Sequence, residues 1–279
     1  MSPRHVVPAA TETPPGPDVL TAHGLVRHFG GLRAVDGVDL TVPPRQVTAV
    51  IGPNGAGKST LFHCLAGAQR PDEGRIRFRG RDITRLPDHR RARLGIARTF
   101  QVVSVFPSLT VADNLRVGAE NRAGASAAAR LLGLPDAAGG RTRQAVERAL
   151  ELAELTDVAD VPAGRLPTGT LRLVELGRAL AADPSVLLLD EPASGLDDAE
   201  TARMRALLRR LAGEGLAVLL VEHDMELVFG VADTVYVMAA GRVVASGTPD
   251  AVRDDPAARA AYLDPLAGDG EPAPGPGGS

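Results

Sequence analysis

Gly52-Pro53-Asn54-Gly55-Ala56-Gly57-Lys58-Ser59-Thr60 fits the pattern G-x-x-x-x-G-K-[ST] at every fixed position. Immediately upstream, Gln46-Val47-Thr48-Ala49-Val50-Ile51 reads as a buried strand, and Ser59 to Ala66 reads as the start of a helix. Strand, glycine-rich turn and helix together aim a helix N-terminus and its unpaired N–H groups at an anion. Gly52, Gly55 and Gly57 let the backbone wrap closely around a β-phosphate. Lys58 then reaches the β- and γ-phosphates, and the Ser59 hydroxyl takes one position around Mg2+. The pattern implies a nucleoside triphosphate as ligand. The competing reading, a glycine-rich turn before an ordinary helix, does not require all the fixed positions to be filled.

Lys58 is also the only lysine in a chain with 31 basic side chains. The others are arginine, as a GC-rich codon bias would produce. Lysine delivers a compact point charge on a thin stem, whereas the arginine fork is broad and planar. A narrow nest of backbone N–H groups around a phosphate admits the first and not the second. Chance alone would place the lone lysine here about once in 31.

The rest of the composition narrows the class. A length of 279 residues suits one large α/β domain or two closely joined lobes. Apolar residues at 44% and charged residues at 23% are ordinary for a globular protein. With no Trp, two Tyr and six Phe, stacking platforms for nucleic acid are scarce. A net charge of −3 gives no electrostatic reason to expect a polyanion, so no nucleic-acid partner is expected. Cys64, the single cysteine, reads as a small core residue in a reducing compartment. No apolar run approaches the roughly 20 residues of a membrane-spanning helix. Residues 1–18, rich in Pro, Thr and Ala, and residues 265–279, rich in Gly, Pro and acid, are expected to be disordered tails rather than a signal peptide or folded elements.

Between the tails, residues 19–264 are expected to form one domain. Leu20–Val26, Val38–Val42 and Arg75–Phe78 read as an antiparallel layer flanking the phosphate-loop strand. A helical lobe is expected over about 102–182, with a helix start at Val111 and a strongly helical stretch at Gln144–Leu155. Strands return at Val186–Asp190, Ala217–Val221 and Thr234–Met238, followed by a hairpin through Met238–Val244. The arginines of Arg79–Arg98 alternate with Asp, Leu and Pro without aromatic residues between them. That segment reads as a solvated face or a docking face for another protein.

Val186-Leu187-Leu188-Leu189-Asp190-Glu191 is an apolar run closed by two acids. A buried parallel strand of this kind delivers both carboxylates to the C-terminal edge of the sheet, where ligands of open α/β sheets bind. Alternation along a strand points the two side chains opposite ways, so different jobs are expected of them. Asp190 would hold Mg2+, directly or through water, and Glu191 would polarise the attacking water as general base.

Together these segments resemble the ATP-binding cassette ATPases over roughly residues 20–264. The resemblance implies an α/β fold: a P-loop NTPase core, a flanking antiparallel β-layer and an inserted helical subdomain. It implies ATP and Mg2+ as cofactors. Gln101, in Ala97-Arg98-Thr99-Phe100-Gln101, matches the family's glutamine loop, which senses Mg2+ and couples to the transmembrane partner. Ser194-Gly195-Leu196-Asp197 resembles the loop that carries signals across the dimer, with Asp197 at its end. Glu222-His223-Asp224 matches the switch-histidine segment, which makes His223 the expected contact to the γ-phosphate. Phe29 resembles the aromatic on which adenine stacks, and on sequence alone a plain core role stands beside that reading.

Several segments are similar to the ATPase subunits of branched-chain amino acid importers, whose relatives also serve amides, urea and aromatic acids. They include Phe29–Val35, Gly95–Gln101, Glu222–Met225 and Gly247–Asp250. The resemblance implies an ATP-hydrolysing subunit on the cytoplasmic face of the membrane, working with transmembrane permease subunits and, indirectly, with an extracytoplasmic solute-binding protein. A non-transport regulatory ATPase and an ATP-binding subunit with weak hydrolysis are the alternatives. One segment departs from the family. The signature Leu-Ser-Gly-Gly-Gln stands here as Leu166-Pro167-Thr168-Gly169-Thr170, and proline offers neither hydroxyl nor N–H. In the family this signature caps the ATP held by the opposite subunit, so a heterodimer with a second cassette is expected rather than a homodimer.

Lys58→Arg keeps the charge but should weaken ATP binding by about tenfold or more, because the fork cannot enter a nest shaped for an ammonium. Calorimetric titration with ATP checks this, and near-normal affinity would remove the meaning assigned to the lone lysine.

Overall fold

The computed structural model describes residues 19–99, 104–123 and 137–263; Gln101 and the expected tails lie outside the described residues. Two hairpin strands, β1 (Leu20–Phe29) and β2 (Leu32–Val42), precede the phosphate-loop strand β3 (Val47–Ile51) and its helix α1 (Lys58–Ala66). β4 (Glu73–Phe78) and the short β5 (Arg81–Asp82) follow, then α2 (Asp88–Leu94) and β6 (Ile96–Arg98). Next come α3 (Val111–Ala123), α4 (Ala137–Leu152) and α5 (Thr168–Ala181). The chain then alternates through β7 (Val186–Asp190), α6 (Asp198–Gly213), β8 (Ala217–Val221) and α7 (Met225–Val231). It closes with β9 (Thr234–Ala239), β10 (Arg242–Gly247), α8 (Pro249–Asp254), α9 (Pro256–Ala258) and a π-helical turn at Arg259–Leu263.

Among the described residues the strands form two sheets. One is antiparallel in the order β2-β1-β4-β5; the other runs β10-β9-β3-β8-β7-β6, parallel except for the antiparallel edge strand β10. All five residues of β3, of β7 and of β8 are buried, as strands covered on both faces require. Their pleat divides the core in two. Val47, Ala49, Ile51, Leu187, Leu189, Val218 and Leu220 pack with α3 to α7 on one side. Val50, Val186, Leu188, Leu219 and Val221 pack on the other with Leu61, Phe62 and Leu65 of α1 and with the antiparallel layer. Because β3, β7 and β8 are parallel neighbours, their C-terminal ends come out side by side at one edge. Gly52, Glu191 and Glu222 are the first residues beyond those ends.

The arginine-rich segment is not uniformly solvated. Arg79, Arg81, Arg85, Arg90 and Arg93 are exposed, but Arg91 is fully buried. Its guanidinium donates to the carbonyl oxygens of Cys64 (2.8 Å) and Leu65 (2.7 Å) in the last turn of α1, and to those of Leu86 (2.9 Å) and Thr84 (3.1 Å). The last carbonyls of a helix lack intrahelical partners and carry the negative end of its dipole, so a buried cation is tolerated there. Burial pulls the Arg91 pKa down to about 10. Cys64 is a buried thiol, pushed up to about 11 mainly by burial, which matches its reading as a core residue.

Arg91→Ala leaves several buried carbonyls unpaired and should cost about 3 kcal/mol. For a domain of this size that corresponds to a fall of about 10 °C in the thermal midpoint. Calorimetry checks it; a midpoint within about 2 °C of the parent would show that water replaces the guanidinium.

Candidate functional site

The phosphate loop is held by backbone contacts from both sheets. Gly52 has φ +148°, and a Cβ there would lie 2.1 Å from the carbonyl oxygen of Met238 in β9. Gly57 has φ +100°, and its Cβ would lie 2.1 Å from the carbonyl oxygen of Ala34 in β2. Neither position admits a side chain. Gly241 N–H donates to Ala56 O (3.0 Å), and Asp36 N–H donates to Gly241 O (2.8 Å). Arg242 places Nε and Nη2 on one Asp36 carboxylate oxygen (2.8 and 2.6 Å), while Arg33 Nη1 donates to the other (2.9 Å). Arg242 first, and Arg33 second, hold the Asp36 carboxyl below the usual carboxylate range.

Within this clamp Lys58 Nζ donates to the carbonyl oxygens of Gly52 (2.6 Å) and Pro53 (3.0 Å), folding back across the loop. Burial lowers the Lys58 pKa, while Glu191 and Asp190 act in the opposite direction. Ala56 is buried, Pro53 and Thr60 are half-buried, and Asn54, Gly55 and Ser59 are exposed. The loop therefore presents an open face made of backbone, the Ser59 hydroxyl and the lysine.

Asp190 is buried at the end of β7, and its carboxyl is pushed up to about 6 by burial, then by Glu191 and Glu222, against the opposing pull of Lys58. Glu191 departs from the alternation expected of a strand. It adopts φ +48°, a left-handed conformation, so the pleat ends at Asp190 and both carboxylates stay within electrostatic reach of Lys58. Their difference is one of burial rather than of opposite faces. Glu191 N–H donates to Val221 O (2.9 Å), and Glu191 Oε1 lies 3.8 Å from Nδ1 of the exposed His223. Phosphate loop, Asp190, Glu191 and His223, scattered through the chain, thus meet at one edge.

Glu222 joins them, although the reading of the sequence gave a role only to His223 in that segment. Its carboxylate accepts from Ala193 N–H (2.9 Å), His223 N–H (2.9 Å) and Asp224 N–H (3.3 Å), with no exposed side-chain surface. The signal was present in the sequence, since Glu222 closes an apolar strand just as Asp190 does.

Hard oxygen donors suit Mg2+, which keeps several waters and takes only one or two protein ligands beside phosphates. The Ser59 hydroxyl and the Asp190 carboxylate fit that description, and a cation would relieve the repulsion that raises Asp190. Among the described residues no group of three His, Cys, Asp or Glu side chains could hold a metal ion.

Phe29 ends β1 with 44% of its surface exposed and the Arg27 guanidinium 4.9 Å from its ring centroid. It is not a core residue. It sits at the tip of the hairpin whose second strand presses Ala34 against Gly57. Among the described residues no hydrogen bond links the segment Leu166–Thr170 to the phosphate loop. Pro167 occupies the N-cap of α5 with no side-chain cap, and Pro167 and Thr168 are exposed. Gly169 is buried against Glu200, whose Oε1 would lie 1.9 Å from a Cβ at that position. Glu200 is held in turn by a capping box with Asp197, their side chains and backbones exchanging bonds of 2.8 and 3.1 Å. Arg172 donates to Ser194 O (3.3 Å). The start of α5 and the segment after Glu191 are therefore packed together within one chain.

Comparison with known proteins agrees with this geometry. A family model described as "ABC transporter" matches residues 35–194, and one described as "Branched-chain amino acid ATP-binding cassette transporter" matches residues 242–263. The chain is 43% identical to the high-affinity branched-chain amino acid transport ATP-binding protein BraF of Pseudomonas aeruginosa, covering 88% of this chain and 97% of that one. It is 39% identical, with the same coverage, to the corresponding protein LivG of Escherichia coli. Among solved structures, the ADP conformation of MJ1267, an ATP-binding cassette of an ABC transporter, matches with a TM-score of 0.76 and 32% identity, covering 90% of this chain and 99% of that one.

Because folding raises the Asp190 pKa above its ordinary value, ionised Asp190 opposes folding at neutral pH. Asp190→Asn should therefore raise the thermal midpoint of the nucleotide-free protein at about pH 7.5, by about 2–4 °C. The gain should fade as the pH falls through about 6 towards 4, where the folded and then the unfolded acid take up the proton. A lower midpoint at neutral pH would contradict the electrostatics described for this edge.

Proposed function

This chain belongs to the ABC transporter family and is an ATPase, and we propose that it powers an importer of branched-chain amino acids or related small amino acids and amides. The observation that carries the reading is the convergence of Lys58, Asp190, Glu191 and His223 on one sheet edge, with Glu191 Oε1 3.8 Å from His223 Nδ1. The solute class is supported by the family match over residues 242–263 and by what the names of the two relatives say of those proteins.

Lys58 leaves the Gly52 and Pro53 carbonyls to bind the β- and γ-phosphates, and the N–H groups of residues 55–60 surround the β-phosphate. Ser59, Asp190 and Gln101 would hold Mg2+, which would supply positive charge against the phosphate oxygens. Glu191 accepts a proton from the attacking water, and His223 contacts the γ-phosphate. Phe29 offers its exposed ring to adenine. Asp197 and its capping box carry the state of the site to the facing subunit.

No helix among the described residues is long and apolar enough to cross a membrane, so the crossing is left to permease subunits, with this chain at their cytoplasmic face. A cleft of about 370 Å3 between α2, β6, α3 and α5 is a suitable dock. Phe106 stands at its rim, 45% exposed, with the Arg178 guanidinium 5.7 Å from its ring centroid. Asn114 fixes that rim by accepting from Phe106 N–H (2.8 Å) and donating to Phe106 O (3.0 Å). A solute-binding protein delivers cargo to the permease on the far side.

The N-cap proline at position 167 argues for a heterodimer. A second cassette with a serine-bearing signature would complete the site built on Lys58 and Glu191, whereas the site capped by Pro167 and Thr170 would turn over slowly. Glu191→Gln keeps the shape and removes the base. In the assembled transporter it should retain ATP binding and lose turnover by about a hundredfold or more. The equivalent change in the partner cassette should cost far less. Undiminished turnover would refute the role of Glu191, and equal losses from the two changes would refute the asymmetry.

A further inference from the structure

Glu222, whose side chain has no exposed surface, lies with Oε2 3.6 Å from Nδ1 of His223. Glu191 sits at φ +48°, a conformation that a non-glycine residue holds only where its surroundings over-determine it. Three contacts do so. Glu191 N–H donates to Val221 O (2.9 Å), Ser194 N–H donates to Glu191 O (3.1 Å), and Ala193 N–H donates to the Glu222 carboxylate (2.9 Å). The other oxygen of the same carboxylate accepts from the N–H of His223 itself (2.9 Å) and from that of Asp224 (3.3 Å). Asp224 caps α7 by accepting from Leu227 N–H (3.0 Å), and Glu222 N–H reaches Val50 O in the phosphate-loop strand (3.4 Å).

We propose that Glu222 is a positioning residue that sets the backbones carrying Glu191 and His223 as one unit. The proposal rests on the roles given above to those two residues. A carboxylate with no exposed surface is expensive unless each oxygen is satisfied, and here backbone amides from two different loops satisfy both. One oxygen faces the loop after β7 and the other faces the loop after β8. Movement of either loop strains the other through a single rigid, planar group. The general base and the γ-phosphate contact therefore take up their positions together.

The identity of the residue matters more than its size. Glutamine fills the same volume but offers one acceptor oxygen, and its NH2 group would face N–H donors. It can satisfy Ala193, or the pair His223 and Asp224, but not both. A purely structural carboxylate would lower stability when changed and leave turnover per folded molecule intact. A positioning carboxylate lowers turnover with little change in nucleotide binding, because the phosphate loop itself is untouched.

The test uses the assembled transporter, with ATP turnover and ATP affinity measured side by side. Glu222→Gln should lower kcat about 10- to 100-fold, as a displacement of about 1 Å at a reacting group does, and leave the Kd for ATP within about twofold. In a His223→Ala background the same change should cost less than in the parent, because only the part that acts through Glu191 remains. Amide hydrogen exchange of the parent chain should show Ala193 and His223 as protected as the interior of β8. That measurement tests the shared hydrogen bonds even where the variant does not fold, since rapid exchange there removes the link between the two loops. A kcat within about twofold of the parent, equal losses in both backgrounds, or rapid exchange at Ala193 and His223 would overturn the proposal. Glu191→Gln measured alongside separates the cases: if it retains turnover, the reading of the site fails rather than the role of Glu222.

Discussion

At Gly52 and Gly57 the phosphate loop runs so close to the carbonyl oxygens of Met238 and Ala34 that a Cβ at either position would lie 2.1 Å away. Met238 belongs to the parallel sheet's side of the molecule and Ala34 to the antiparallel layer. The loop is therefore one point at which the two sheets are fastened together. The Asp36–Arg242 pair and the chain of bonds through Gly241 and Ala56 hold the same junction from outside. A phosphate nest needs N–H groups fixed in space before the anion arrives, since amides ordered only on binding would cost conformational entropy at that moment. Here the fold has fixed them in advance.

The strands bring that nest together with an excess of negative charge. Asp190, Glu191 and Glu222 close adjacent parallel strands, and only Lys58 opposes them in setting the proton affinity of Asp190. Such an edge is poor for stability and suitable for catalysis. Burial first, and the neighbouring acids second, raise the proton affinity of Asp190 in the free protein. Both oxygens of Glu222 accept backbone N–H groups.

The segment Leu166–Thr170 is tied to the residues that follow Glu191. Gly169 packs on Glu200, while the proline at 167 leaves α5 without a side-chain cap. Arg172 on Ser194 and Glu200 on Gly169 tie that segment to the residues following Glu191. Displacement of the start of α5 would therefore reach the segment after Glu191 through direct contacts, without a long relay.

Much of this was legible in the residues themselves. The strand, loop and helix around Lys58 follow from local pattern, and the apolar runs at 186–190 and 217–221 became strands with those same limits. Nucleotide chemistry was legible for the same reason: a phosphate loop is a short contiguous motif whose spacing alone specifies its geometry. Other features depended on contacts between distant segments. Strand alternation placed Asp190 and Glu191 on opposite faces, but the positive φ at Glu191, held by Val221 and Ser194, turned both towards Lys58. Arg91 read as one more solvated arginine until α1 placed its last carbonyls around it. Phe29 stood between core and surface until the hairpin left it exposed. Glu222 looked like the neighbour of a histidine until the loop after β7 supplied its third N–H. The sequence alone determines which groups are present and which short elements they form, because those depend on neighbours a few residues apart. What each carboxylate and each arginine does is decided by tertiary structure, because burial and hydrogen-bond partners come from segments that meet only when the sheets close.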